Sequence, residues 1–301
     1  MIMQTYNNYW KLNLLELPSM GKLYPQDTVI KIRPLNVQEI KYLATLNESN
    51  ATDIINEILE KCTILKGIEF EDIFLGDRKY LAFWIRVNSF TRNSGYEVTI
   101  NECFKCKNPF KHKINLTDFE EKYIKEGTHE IFLKDSGLHL KLKYPTIRDL
   151  SIKCSDEEIE NFIRHIDIKN KDVDLLEKFI RNLSALDYAI LKNAVEDMEI
   201  GFSDEITIYC PLCGHPHTYK IIYNDSGLLG TINLFEIMDM TLRISKTMNY
   251  QIQDTMPWME VELLQEAANR ISEEEQKELD KEKGKISFNK STLNASNYKF
   301  K

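Results

Sequence analysis

The chain predicts an α+β protein made of two tandem, divergent repeats, each ending in a β-hairpin tipped by a CxxC pair, followed by C-terminal helices. Three observations carry this. Alternating strand-like runs and helical runs both occur. Two CxxC pairs sit between strand-like segments, Cys103-Phe-Lys-Cys106 and Cys210-Pro-Leu-Cys213. A strand–Pro–capped-helix pattern recurs roughly 110 residues further on. The repeat comes first, because self-similarity decides the architecture before any single element does.

Residues 29–46, VIKIRPLNVQEIKYLATL, share a pattern with residues 138–155, LHLKLKYPTIRDLSIKCS. Each has an alternating strand, a proline and a helix-start signature. Asn36 is followed three residues later by Glu39, and Thr146 by Asp149. A cap residue with an acid at the third helical position satisfies the free amides of a helix start. The offset is 149 − 39 = 110. It recurs between Asp77 and Asp187, Leu81 and Leu191, and Ile85 and Val195. The cysteine pairs are offset by 210 − 103 = 107, as if a loop had lost three residues.

The elements follow in order. Residues 1–26 read as an extended arm, because Pro18, Gly21 and Pro25 oppose a helix. The first repeat spans 27–118 and the second 127–224. Helices are expected at 51–66, 76–89, 155–166 and 171–198. Residues 128–144 read as a hairpin turning at Asp135-Ser-Gly137. Strand-like runs flank each CxxC: 96–101 and 110–116 around the first, 205–209 and 218–223 around the second. Residues 225–284 read as helices, with Leu234, Ile237, Met238 and Leu242 on one face. Pro257 suits a first helical position, followed by Trp258, Val261, Leu264, Ala268 and Ile271 at helical spacing. Residues 285–301 show no periodicity and no acid, and read as a flexible tail.

The 301 residues suffice for a sizeable core without staples. No apolar run approaches the ~18 residues of a membrane span, and the first residues lack the pattern of a secretory signal. In the reducing compartment this implies, paired CxxC reads as metal before disulfide. One hairpin offers two thiolates, and two facing hairpins offer the closed four-thiolate shell of a structural zinc. The predicted ligands are therefore Cys103, Cys106, Cys210 and Cys213, holding one Zn2+ per chain. The pairs are 210 − 106 = 104 positions apart, against about 15–20 in a compact ribbon. Docking of the two repeats would explain that separation. The alternatives are two reduced pairs, or a redox CxxC, which belongs at a helix start rather than between strands. His215 or His217 could replace a thiolate.

Catalytic signatures are missing: there is no P-loop, GxGxxG, GxSxG or HExxH. Cys62 and Cys154 fall in helical segments and read as small apolar residues. Four thiolates leave zinc no open position for water, so the metal would be inert. A net charge of −8 disfavours binding to phosphate backbones. The alternative reading is a zinc-ribbon nucleic-acid-binding protein. It would rely on the small basic face of Lys105, Lys107, Lys111, His112 and Lys113.

The segment LPSMGKLYP with VIKIRPL, NVQEI, LGDRKYLAFWIRVNSF and the strand into CFKC resembles the T4-like bacteriophage baseplate proteins, the small hub-assembly family of contractile tails. QDTMPWMEVELL near the C-terminus is also similar. The resemblance covers 15–116 well and 205–271 loosely. Its matching positions are Leu17, Pro18, Gly21, Tyr24 and the cysteine pair. It implies a non-enzymatic tail component, made in the bacterial cytoplasm and built into or assembling the baseplate hub of the virion. The partners implied are other baseplate and tail proteins and further copies of the chain, with no small-molecule substrate. This chain departs from the family picture in carrying two copies of a unit.

Overall fold

The computed structural model describes residues 9–47, 49–91, 96–114, 121–125, 129–169, 172–203, 205–220, 229 and 233–295. The N-terminal segment is more than an extended arm. Trp10–Lys11 (β1) pairs antiparallel with Val29–Ile32 (β2), which pairs antiparallel with Thr63–Lys66 (β3). Between β1 and β2 the chain makes a short turn of 3-10 helix at Leu14–Glu16 and buries Leu17 completely.

Two helices separate β2 from β3: Val37–Leu43 (α1) and Ala51–Cys62 (α2). Asn36 and Glu39 form a reciprocal capping box at the start of α1. The Glu39 carboxylate also takes both prongs of the Arg33 guanidinium at 3.0 Å. The expected helix at 51–66 stops at Cys62. Residues 63–66 are instead β3, where β-branched Thr63 and Ile64 suit a ladder partner for β2. Leu75–Ser89 (α3) buries Leu81, Ala82 and Ile85. The hairpin of Tyr96–Ile100 (β4) and Phe110–Ile114 (β5) follows.

Glu121–Lys122 (β6) leads into a second hairpin, Glu130–Leu133 (β7) and Leu138–Lys141 (β8). Its turn includes Gly137 at φ +68°. A 3-10 turn at Ile147–Ser151 stands where an α-helix was expected. Next come Glu157–His165 (α4), Val173–Arg181 (α5) and Ala185–Asp197 (α6). The single helix expected over 171–198 is broken. α5 ends on Asn182, and Ser184 restarts the chain by accepting the Asp187 amide. These elements enclose a core of Leu142, Phe162, Ile163, Ile166, Leu191 and Val195.

Gly201–Phe202 (β9) pairs with β6. Phe202 packs edge-on against Phe83 of α3 and stacks parallel to Tyr80. This seats the chain on the first half just before the hairpin of Glu205–Tyr209 (β10) and Pro216–Lys220 (β11). Ile206 and Ile208 of β10 accordingly belong to the first half's core. The halves also meet where the Leu75 amide donates to the Pro145 carbonyl and the Ile147 amide to the Ile73 carbonyl. Gly76 lies against Ile200, and a Cβ there would come within 2.6 Å of the Ile200 carbonyl oxygen, so no side chain fits.

Leu234–Met248 (α7) and Trp258–Ala295 (α8) complete the described chain. α7 buries Ile237 and Ile244, while Leu234, Met238 and Leu242 of the face expected to be apolar are exposed. The buried stripe is rotated from the one the sequence suggested, because α8 covers only one side. Trp258, Val261 and Ala268 of α8 are buried as expected. The Val37 amide donates to the Met256 carbonyl and the Trp258 amide to the Leu35 carbonyl, locking α8 to α1. α8 continues to Ala295, past the helix boundary expected at 284; 296–301 lie outside the described residues. Among the described residues, no helix is long and apolar enough to cross a membrane.

Candidate metal centre

Each CxxC sits on the turn between two paired strands, and each turn is built alike. The Cys103 amide donates to the Asn108 carbonyl at 3.0 Å, and the Lys107 amide to the Cys103 carbonyl at 2.9 Å. In the second turn the Cys210 amide donates to the His215 carbonyl at 2.9 Å, and the Gly214 amide to the Cys210 carbonyl at 2.9 Å. The residue after the second cysteine is left-handed in both: Lys107 at φ +62° and Gly214 at φ +67°. Closing the turn from Cys103 to Asn108, and from Cys210 to His215, uses that conformation, which glycine adopts freely and lysine only at a cost.

The structure brings the two turns together. The Cys103 and Cys213 sulfurs are 3.6 Å apart, and those of Cys106 and Cys210 3.7 Å. All four sulfurs lie within 4.8 Å of one another. Zinc–thiolate bonds of about 2.3 Å place sulfurs at tetrahedron corners about 3.8 Å apart. The spacing therefore fits a metal ion of that kind. The cluster is sheltered: Cys103 and Cys210 are buried, Cys106 and Cys213 half-buried, and Phe110 packs beside them.

Backbone amides aim at the sulfurs. The Asn108 amide, opposed by desolvation, brings the Cys106 thiol down to about 6. Burial pushes the Cys103 thiol up, but the amides of Cys106 and Lys105 outweigh it and leave it below its ordinary value. At Cys213 the His215 amide pulls down, while desolvation and the three other thiols together carry it up to about 12. Four thiolates this close repel one another, so one keeps its proton; a dication in their midst reverses that balance.

The two histidines are not in the group of sulfurs that could hold an ion. His217 instead lies beside it, with Nε2 3.3 Å from the Cys103 sulfur. The sequence suggests it as a substitute ligand, whereas the ring lies outside the four sulfurs. The signal for its other role was its place in β11 opposite Ile208, facing inward beside the knuckle. Cys62 is buried and its thiol pushed up to about 12 by desolvation, and burial also raises Cys154, so neither is poised as a nucleophile.

The fold and this site define a class: a mixed α/β protein in which distant hairpins bring four cysteines into one cluster able to hold a metal ion. Residues 11–225 match the family described as T4 bacteriophage base plate protein. The chain belongs to that family, which places its role in the phage tail among other tail proteins. Neither the curated proteins nor the solved structures yield a match.

Proposed function

We propose that the chain is a non-enzymatic structural or assembly component of a contractile phage tail baseplate, in its hub region, clamped by one structural zinc on Cys103, Cys106, Cys210 and Cys213. The observation that carries the clamp is the meeting of four sulfurs from hairpins 104 positions apart, at spacings suited to a tetrahedral ion. The ion joins segments that neither hairpin could join alone, so its binding energy is folding energy. With all four positions taken by protein, no water is left to activate. Family membership supports the place in the baseplate.

We further propose that the chain is organised as an arm (1–26), two divergent copies of one unit (27–118 and 127–224), C-terminal helices (225–284) and a tail (285–301). Matched contacts support the duplication. Arg33 binds Glu39, and 110 positions on Lys143 binds Asp149 at 2.7 Å. The Arg33 amide donates to the Cys62 carbonyl, and the Lys143 amide to the His165 carbonyl. Asp77 at the start of α3 accepts from the Ser19 amide and the Tyr24 hydroxyl. Asp187 at the start of α6 accepts from the amides of Asp135 and Ser136.

Two measurements test the reading. Elemental analysis of the purified chain should give one zinc per chain; a metal-free folded protein with four freely titrating thiols would refute the clamp. Mass spectrometry of purified tails and of assembly intermediates should find the chain, and a phage lacking it should fail to complete baseplates. The nucleic-acid reading would use exposed Phe104 beside Lys105. Tight RNA or DNA binding at physiological salt would favour it.

A further inference from the structure

We infer that His217 is a hydrogen-bond donor to the Cys103 thiolate of the metal centre. This rests on the four-thiolate reading above and deepens it. The offset of 107 that relates Cys103 to Cys210 relates Phe110 to His217, since 217 − 107 = 110. Both residues follow a proline, Pro109 and Pro216, and both are buried. They face each other across the site with ring centres 5.4 Å apart. One position thus offers a hydrocarbon ring to the sulfurs, and its counterpart offers a nitrogen.

The His217 ring is held by its neighbours. It stacks on Phe104 at 5.3 Å and 20°, meets Phe110 at 61°, and is 4% exposed. This packing leaves Nε2 3.3 Å from the Cys103 sulfur. A thiolate can only accept, so the ring must carry its hydrogen on Nε2. Four thiolates around a dication leave a net charge of −2, and each N–H aimed at a sulfur disperses part of it. Outer-shell donors of this kind typically change metal affinity 10–100-fold. The His217 N–H therefore helps hold the Cys103 sulfur in place.

The experiment uses the full chain. Wild type is first assayed for metal content, and a metal-free wild type would overturn both this inference and the clamp. With metal present, 113Cd-loaded protein is examined by NMR for a correlation between 113Cd and the His217 Nε2 hydrogen. A cross-peak is expected, and its absence in loaded, folded protein refutes the donor while leaving the clamp intact. His217→Phe should keep one metal per chain but release zinc to a chelator about 10-fold faster. It should also shift the sulfur-to-cobalt charge-transfer band of the Co2+ form. His217→Gln, which restores an N–H, should recover part of both. Release and spectrum unchanged in the Phe variant, or a Gln variant no better than Phe, would mean that the ring only fills space.

Discussion

On the proposed duplication, the two halves of the molecule share a plan and differ in what surrounds them. In the first, β2 lies between β1 and β3, a full α1 follows, and α7 and α8 enlarge the core. In the second, a hairpin replaces the three-stranded sheet, a 3-10 turn replaces α1, and the core is smaller. What stays constant is polar: the cation–acid pair before the first helix turn, the buried aspartate at the start of the long helix, and the cysteine knuckle. Apolar positions tolerate substitution provided volume is kept, whereas a buried carboxylate needs its particular donors. The matched pairs therefore invite matched mutations, in which a difference between partners measures how far the halves have diverged.

The largest effect should come from the cysteines, and here the halves should not differ. Cys106→Ser and Cys213→Ser each remove one ligand from the same ion, so both should abolish tight zinc retention and cost more than about 5 kcal/mol. If one variant unfolds and the other is silent in metal content and thermal melting, the hairpins do not share an ion.

Glycine 76 and its counterpart Leu186 should differ sharply. Gly76→Ala forces a Cβ against the Ile200 backbone where the halves touch and should cost about 3 kcal/mol. Leu186 is 47% exposed, and Leu186→Ala should change little. Chemical denaturation distinguishes the two, and equal costs would undo the matching of α3 with α6.

The paired aspartates should respond oppositely to pH. Burial raises the Asp77 carboxyl despite the Ser19 and Tyr24 donors. Its contribution is full below the unfolded value of about 3.9 and is lost as pH rises through the folded one. At Asp187, desolvation is outweighed by the Ser136 hydroxyl and the amides of the β7–β8 turn, which lower the carboxyl. Its contribution is present above about 3.9 and lost as pH falls through the folded value. The penalty of Asp77→Asn should therefore shrink as pH rises above about 3.9. That of Asp187→Asn should be flat there and shrink only below about pH 4. Parallel pH profiles would contradict this assignment.

The smallest effects concern the knuckle turns. Gly214→Ala places a Cβ at positive φ and should destabilise by about 1 kcal/mol. Lys107→Gly relieves the same strain and should move melting the other way; its ion pair with Glu102 is exposed and adds little. A Lys107→Gly variant that melts lower would show that the lysine makes contacts worth more than the backbone cost.

Much of the local structure was legible in the chain. The capping boxes at Asn36 and Thr146, the turn at 135–137 and the strand-flanked knuckles follow from short-range chemistry, in which each residue satisfies amides a few positions away. Helix ends without such markers were misread. Cys62 passes directly into Thr63 with no glycine or proline, so only the ladder to β2 stops α2 there. The exposed stripe of Leu234, Met238 and Leu242 was equally hidden, because periodicity shows that a helix has an apolar face and not which part of it a neighbour covers.

By itself, the sequence determined which residues have the chemistry of the site: four thiols in two CxxC pairs, each between strand-like runs. That they meet was decided by the tertiary structure. β9 docks on α3 and Gly76 lets Ile200 approach, which delivers the second hairpin to the first. Only that arrangement sets His217 against the Cys103 sulfur. The physical reason is range: caps and turns are settled within a few residues, while a contact between residues a hundred apart depends on every packing interface that lies between them.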